Sequence, residues 1–255
     1  MRCTVKQGLL VLLLAWGGQA DLALAAKAKP RAAESKASSR NVSSPLLVQA
    51  QALDKRALEY DTHGQLPEAE NLYAQALALR ERALGQDHPD VVQSLYNLAS
   101  VRHDQNKIDS AIGLYEQTAR LQEKLNGAND PGLALTLYQL GLAHNSRLQT
   151  ASARAALQRS LAIRSKIAAD PLDTADSLFA LGQVEENANQ LAEAQDYYRR
   201  ALAIRERTLG PNHVEIANAL YAVATTYRKQ NQHATAIPLE DRAEAMLNRL
   251  SARTP

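Results

Sequence analysis

The 255-residue sequence predicts an all-α fold, an α-solenoid of about five helix–turn–helix repeats. One alanine recurs at Ala69, Ala111, Ala153, Ala194 and Ala236, at intervals of 42, 42, 41 and 42 residues. A fixed period of that length means supersecondary units stacked on their neighbours, not one globular core. Within each period the apolar and small residues fall three, four and seven apart, which is a helical spacing, and strand-like alternation does not persist.

Each unit reads as two helices. The first carries a repeated Leu (Leu53, Leu95, Leu137, Leu178, Leu220) and, four residues on, a small residue (Ala57, Ala99, Gly141, Gly182, Ala224). The second carries the ladder alanine and, four residues later, Tyr73, Tyr115, Leu157, Tyr198 and Glu240. In the second unit the helices are expected at about 91–105 and 108–125. The small residues remove bulk where two helix backbones approach, and a larger side chain there carries an overpacking cost of about 1–3 kcal/mol. Gly85, Gly127 and Gly210 close three of the second helices, where a left-handed residue is least strained as glycine. The loops that follow, GQDHPDV, GANDPGL and GPNHVEI, carry Asp, Asn and Pro suited to starting the next helix.

Together these residues resemble the tetratricopeptide repeat. The segments LYNLA (Leu95–Ala99), ALALRERALGQDHPDV (Ala76–Val91) and ALAIRERTLGPNH (Ala201–His213) are similar to the longer repeats of kinesin light chains. The resemblance covers about residues 47–250. It implies a right-handed solenoid in which the first helix of each unit lines a concave groove, with units at about 47–88, 89–130, 131–171, 172–213 and 214–255. It says little of function, because the fold serves unrelated partners.

The N-terminus differs. Arg2 and Lys6 precede an apolar run, Gly8 to Gly18, followed by small residues ending Ala23-Leu24-Ala25. That order reads as a signal peptide over 1–25, and hence as export to a periplasm or beyond. Its removal takes away Cys3, the single cysteine, so the mature chain has no disulfide. Residues 26–45 read as a disordered linker with five basic residues (Lys27, Lys29, Arg31, Lys36, Arg40) and one acid, Glu34. The linker reads first as a solvated spacer, and if the chain contacts a membrane at all, only this N-terminal segment is suited to it. Of 29 Lys and Arg and 27 Asp and Glu, the first 45 residues hold seven and two, leaving 22 and 25 for the repeats. That balance lacks the basic stripe nucleic-acid binding needs.

No catalytic or metal-binding constellation stands out, and neither enzyme activity nor a metal or cofactor is expected. The six histidines lack the i, i+4 pairing and HExxH context of a zinc helix. His88 and His213 share a repeat position, which implies a shared structural role. Glu185 and Glu186 are adjacent, so they leave a helix in different directions.

In the groove the resemblance implies, Tyr96, Tyr138, Phe179 and Tyr221 fall in register on successive first helices, with Asp54 in that place in the first unit. Beside them run Lys55, Asn97, Gln139, Ala180 and Ala222, then Leu58, Ser100, Leu142, Gln183 and Thr225, then Asp61, His103, Asn145, Glu186 and Arg228. Rings offer large, low-entropy contact area, and amides offer hydrogen bonds to a peptide backbone. The expected binding residues are therefore Tyr96, Asn97, Tyr138, Gln139, Phe179, Gln183 and Tyr221, and the expected partner is a protein or peptide. The rings also suit packing between helices. A second functional reading is an assembly protein that self-associates through its terminal repeats, where Ala243, Met246, Leu247 and Leu250 form an apolar stripe.

Overall fold

The computed structural model describes residues 44–252. The expected signal peptide, and the expected linker as far as Ser43, lie outside the described residues. Among the described residues there are ten α-helices and no strand. α1 (Pro45–Thr62) and α2 (Leu66–Leu84) form one hairpin, α3 (Pro89–Asp104) and α4 (Ile108–Asn126) the next. α5 (Pro131–Ser146) and α6 (Thr150–Lys166) follow, then α7 (Pro171–Asn187) and α8 (Leu191–Leu209). α9 (Val214–Lys229) and α10 (His233–Ser251) complete the stack. Each helix packs on its chain neighbours, and α5 also touches α7.

The starts are set by local chemistry. His88 and His213 each accept a hydrogen bond at Nδ1 from a backbone N–H two residues on, at 3.2 Å. Asp130 caps α5 by accepting from the N–H of Leu133 (2.8 Å), and Asp170 caps α7 by accepting from Leu172 (2.9 Å). The role shared by His88 and His213 is thus capping. Helices α3, α5 and α7 open on proline, whose missing N–H costs nothing at that position. Pro45, expected as the last linker residue, opens α1 in the same way.

The connections explain the period. Every turn within a hairpin has three residues and every connection between hairpins has four. α2, α4 and α8 have 19 residues, and α3, α5 and α9 have 16. α6 is two residues shorter than its counterparts and α7 is one longer, each at 17, which yields the single 41-residue interval. Gly85, Gly127 and Gly210 have φ of 81°, 89° and 77°, with ψ near extended (166°, 172°, 178°). This region is nearly closed to other residues, so these glycines are extended C-caps and not the left-handed ones expected. The left-handed residue lies instead in the turn inside each hairpin: Gly64, Asn106, Leu148, Asn189 and Asn231, at φ between 56° and 72°.

The ladder alanines are all fully buried. Their partners on the first helices are as tight as the spacing requires. A Cβ on Gly141 would sit 2.5 Å from Cγ of Leu157, and one on Gly182 would sit 2.6 Å from the ring of Tyr198. Arg56, in a place otherwise held by buried Leu or Val, is exposed on the first unit.

Candidate functional site

The first helices α3, α5, α7 and α9 carry Tyr96, Tyr138, Phe179 and Tyr221, all half-buried. Each ring is held by its own hairpin. Tyr138 lies 4.8 Å below the guanidinium of Arg164, and Phe179 lies 4.8 Å below that of Arg205. Phe179 also packs against Tyr198 at 5.0 Å, and Tyr96 meets Tyr115 at 5.9 Å. Tyr221 packs with the cluster of Ile216, Leu220 and Met246. In α1 the same position is Asp54, and it ion-pairs with Arg80 at 2.5 Å.

Arg80, Arg164 and Arg205 are a second ladder that reading the sequence from its apolar positions overlooks. Each lies eleven residues after a ladder alanine, with Gln122 and Leu247 at that place in the other two units. They are 9 %, 5 % and 6 % exposed. A buried guanidinium needs partners for its fork of donors, and here they are a ring or carboxylate on its own first helix and polar groups on the next. Arg80 donates to Ser94, Arg164 to Ser177 (2.8 Å) and to the carbonyl of Asp173 (2.5 Å), and Arg205 to Asp176 (2.7 Å). The signal was available in the spacing, since the arginines keep the same period as the alanines.

The amides beside the rings divide. Asn97 accepts from Gln93 at 2.8 Å. Gln139, half-buried, and Gln183, exposed, make no side-chain hydrogen bond among the described residues. Ala180, expected along the same row, is buried and lines nothing.

The outermost row faces its own hairpin and its neighbours. His103 meets the Tyr115 ring edge-on at 6.4 Å, and burial holds its pKa low. Glu186 accepts from the Tyr198 hydroxyl at 2.7 Å and pairs with Lys229 at 2.8 Å. Arg228 forms a two-bond ion pair with Glu240, which stands where other units have Tyr or Leu. Asn187 donates to Asn145 at 3.0 Å across adjacent units. The C-terminal groove cations are therefore occupied by acids. At the N-terminal end, Asp54 and Asp61 each keep a buried carboxylate oxygen without a partner. Burial raises the pKa of both, and the charges of Asp90 and Asp104 respectively add to this, against the Arg80 pairing in the case of Asp54.

Glu185 and Glu186 do point apart, Glu185 taking two hydrogen bonds at 2.6 Å from Arg154. Among the described residues no group of three or more His, Cys, Asp or Glu is placed to hold a metal. No described helix is long and apolar enough to cross a membrane. Two shallow depressions lie at the loops, one walled by Leu84 to His88 and one by Asn106 to Ser110 with Ser146 and Arg147, away from the ring row.

The tetratricopeptide repeat family matches the chain over residues 62–124, 109–166 and 173–249. Those segments span most of its length, and the chain belongs to the tetratricopeptide repeat family. Among solved structures it is similar to nearly identical TPR-like repeats from a Podosopora anserina chain described as a kinesin light chain. There the identity is 22% and the TM-score 0.69, covering 80% of this chain and 97% of that one. BtubC (BKLC) from P. vanneervenii is 18% identical with a TM-score of 0.71, over 82% of this chain and 84% of that one. A Rap protein complexed with competence and sporulation factor is 14% identical with a TM-score of 0.63, over 78% of this chain and 54% of that one. Likeness at these identities is of fold alone. No curated protein sequence matches the chain.

Proposed function

We propose that this chain is an exported, non-enzymatic scaffold that captures an extended segment of another protein along its first-helix row, and that the segment is neutral or mildly basic. The observation that carries the reading is the pair of unengaged amides, Gln139 and Gln183, on successive first helices beside the in-register rings. Unengaged amides on a rigid, periodic surface suit a backbone that presents donors and acceptors at regular spacing. The ligand's charge follows from the ends of the row. Arg228 and Lys229 are occupied by Glu240 and Glu186, so neither is left to hold an acidic segment. A Rap protein of the same fold is complexed with a factor, which supports a tetratricopeptide surface as a place for such capture. Export rests on the order of charge, apolar run and small residues over 1–25.

The test is in-cell cross-linking followed by mass spectrometry, comparing the native chain with Gln183→Lys combined with Asn97→Lys. These changes add like charge to a groove meant for a neutral or basic segment, at one exposed and one half-buried position. Capture should fall at least tenfold while helicity is unchanged. Capture at the native level by a folded variant would refute the groove reading. In the same sample a mature N-terminus near Ala26 supports export, and an intact Met1 sinks it.

A further inference from the structure

Buried arginines tie three of the four joints between units: Arg80 where α2 meets α3, Arg164 where α6 meets α7, and Arg205 where α8 meets α9. Each reaches the next unit through the residues seventeen or twenty-one before the next ladder alanine. Arg80 donates to Ser94, and Arg164 to Ser177 and the Asp173 carbonyl. Arg205 donates to the Glu215 carbonyl (3.4 Å), and its Nε lies 3.6 Å from the Glu215 carboxylate. A fork of hydrogen bonds fixes the angle at which two units meet, because donors and acceptors must stay aligned.

The joint between α4 and α5 has lost both sides of this tie. Gln122 stands in the arginine's place, and Gly132 where the other joints have Asp90, Asp173 and Glu215. Thr136 stands where two of them have Ser94 and Ser177, and it is 0% exposed. Neither Gln122 nor Thr136 makes a side-chain hydrogen bond among the described residues, and Gln122 Oε1 and Thr136 Oγ1 are both buried. A second tie is missing as well. Glu70 bonds Arg102 (2.8 Å) across the first joint, and Arg154 bonds Glu185 (2.6 Å) across the third. Here those two positions hold Ile112 and His144, and His144 turns to Gln149 of its own hairpin, at 2.5 Å. What crosses the joint is an apolar cluster that includes Tyr115, Ala119, Leu133 and Leu137, with two ion pairs at its rim. Those pairs are Arg147–Asp109 (3.1 Å) and Arg159–Glu123 (2.5 Å), and all four side chains are at least 43% exposed.

Apolar contact has no preferred direction, and exposed ion pairs contribute little and yield to water. Buried polar groups without partners destabilise the closed joint, and water that enters an opened one relieves them. Opening any other joint loses hydrogen bonds between units; opening this one gains them with water.

We propose that the stack is hinged at the joint between α4 and α5. Units one and two swing as one body against units three to five, and water reaches Gln122 and Thr136 as the joint opens. The apolar cluster keeps the two bodies in contact throughout. The ring row crosses this joint between Tyr96 and Tyr138, so the swing changes their spacing. The hinge follows from the joint alone and stands or falls separately from ligand capture.

The test is the distance distribution between paired spin labels, in the chain with Cys3→Ser so that the labels occupy the only thiols. The residue nine after the ladder alanine is exposed in every unit: Ala78, Arg120, Ala162, Ala203 and Ala245. Two pairs span the hinge, Ala78→Cys with Ala162→Cys and Arg120→Cys with Ala203→Cys. A third, Ala162→Cys with Ala245→Cys, spans two joints that are tied by arginine. Circular dichroism checks that each variant keeps its helicity. The distributions of the first two pairs should be about twice as wide as that of the third. Gln122→Arg, which restores the missing guanidinium, should bring both to the width of the third. Thr136→Val removes the orphaned hydroxyl and should narrow them too, which serves where Gln122→Arg fails to fold. Equal widths for all three pairs overturn the proposal, as does a width that neither substitution reduces. Width confined to one of the first two pairs places the motion at a neighbouring joint and overturns it as well.

Discussion

Replacing Arg154 with alanine tests the joint between α6 and α7, where a buried carboxylate depends on one partner. Glu185 is 5% exposed at its side chain and Arg154 is 36% exposed, and both Glu185 oxygens are bonded at 2.6 Å. Removing one partner of a buried pair costs about 3–5 kcal/mol, because the other charge is left without compensation. Arg154 is partly wet, so water can enter the gap, and Arg154→Ala should fall at the low end, about 3 kcal/mol. Glu185→Gln removes the acid instead and leaves a guanidinium that water already reaches, for a loss of about 1 kcal/mol. Arg154→Met with Glu185→Leu removes both charges and should be close to neutral. The assay is urea unfolding followed by circular dichroism. Stability in a stack is carried between nearest neighbours, so Arg154→Ala should also separate the melting of units one to three from that of four and five. This would show as a broadened transition with a lower apparent slope. Equal losses for Arg154→Ala and Glu185→Gln, or the reverse order, would refute the claim that the buried carboxylate sets the cost.

Gly182→Ala brings a Cβ within 2.6 Å of the buried Tyr198 ring. An overpacking cost of about 1–3 kcal/mol less about 1 kcal/mol of helix propensity leaves a net loss near 1 kcal/mol. Gly113→Ala on the open face of α4 meets nothing within 4 Å and should instead gain about 1 kcal/mol, both read from urea midpoints. Leu148 holds φ 56° where other units use Gly or Asn, so Leu148→Asn should stabilise by about 1 kcal/mol in thermal melts. Burial, with the Asp104 charge adding to it, raises the pKa of Asp61 above its ordinary 3.8, so the folded chain holds this proton more tightly than the unfolded chain. Its contribution to stability is greatest below 3.8 and falls as pH climbs through the raised value. Asp61→Asn should therefore raise the urea midpoint at neutral pH and flatten the pH profile in that window; an unchanged profile counts against it.

Most of the stack was legible because its spacing has a steric cause. Alanine recurs where backbones approach, and Gly141 and Gly182 replace it where Leu157 and Tyr198 need the room. The turns were harder. Glycine advertises positive φ but not its ψ, so the extended C-caps at Gly85, Gly127 and Gly210 looked like left-handed ones. The truly left-handed turn residue is Asn in three units, Gly in one and Leu in another, and no single residue type announces it. Helix α3 begins at Pro89, two residues before the apolar period starts, because the His88 cap and the proline determine the start before the core face does.

The ring row shows where sequence reading stops. Periodicity placed Tyr96, Tyr138, Phe179 and Tyr221 in one register, and the same periodicity holds for any residue with a repeated neighbour. That neighbour is an arginine in three units, and its companion varies: a carboxylate at Asp54, a phenol at Tyr138, a phenyl at Phe179. A position that accepts an anion or a ring equally well is selected first by the guanidinium, since both satisfy a buried cation. In the second unit the arginine is Gln122, and Tyr96 turns to Tyr115 instead. The rings are therefore packed from behind, and what they offer a ligand is the outer edge of an already engaged side chain. Such an edge is pre-ordered, so a partner that meets it loses little conformational freedom in the rings. On the proposed reading, recognition along this row falls to the groups without a second duty, Gln139 and Gln183, which is why charge added at Gln183 should weaken capture without weakening the fold.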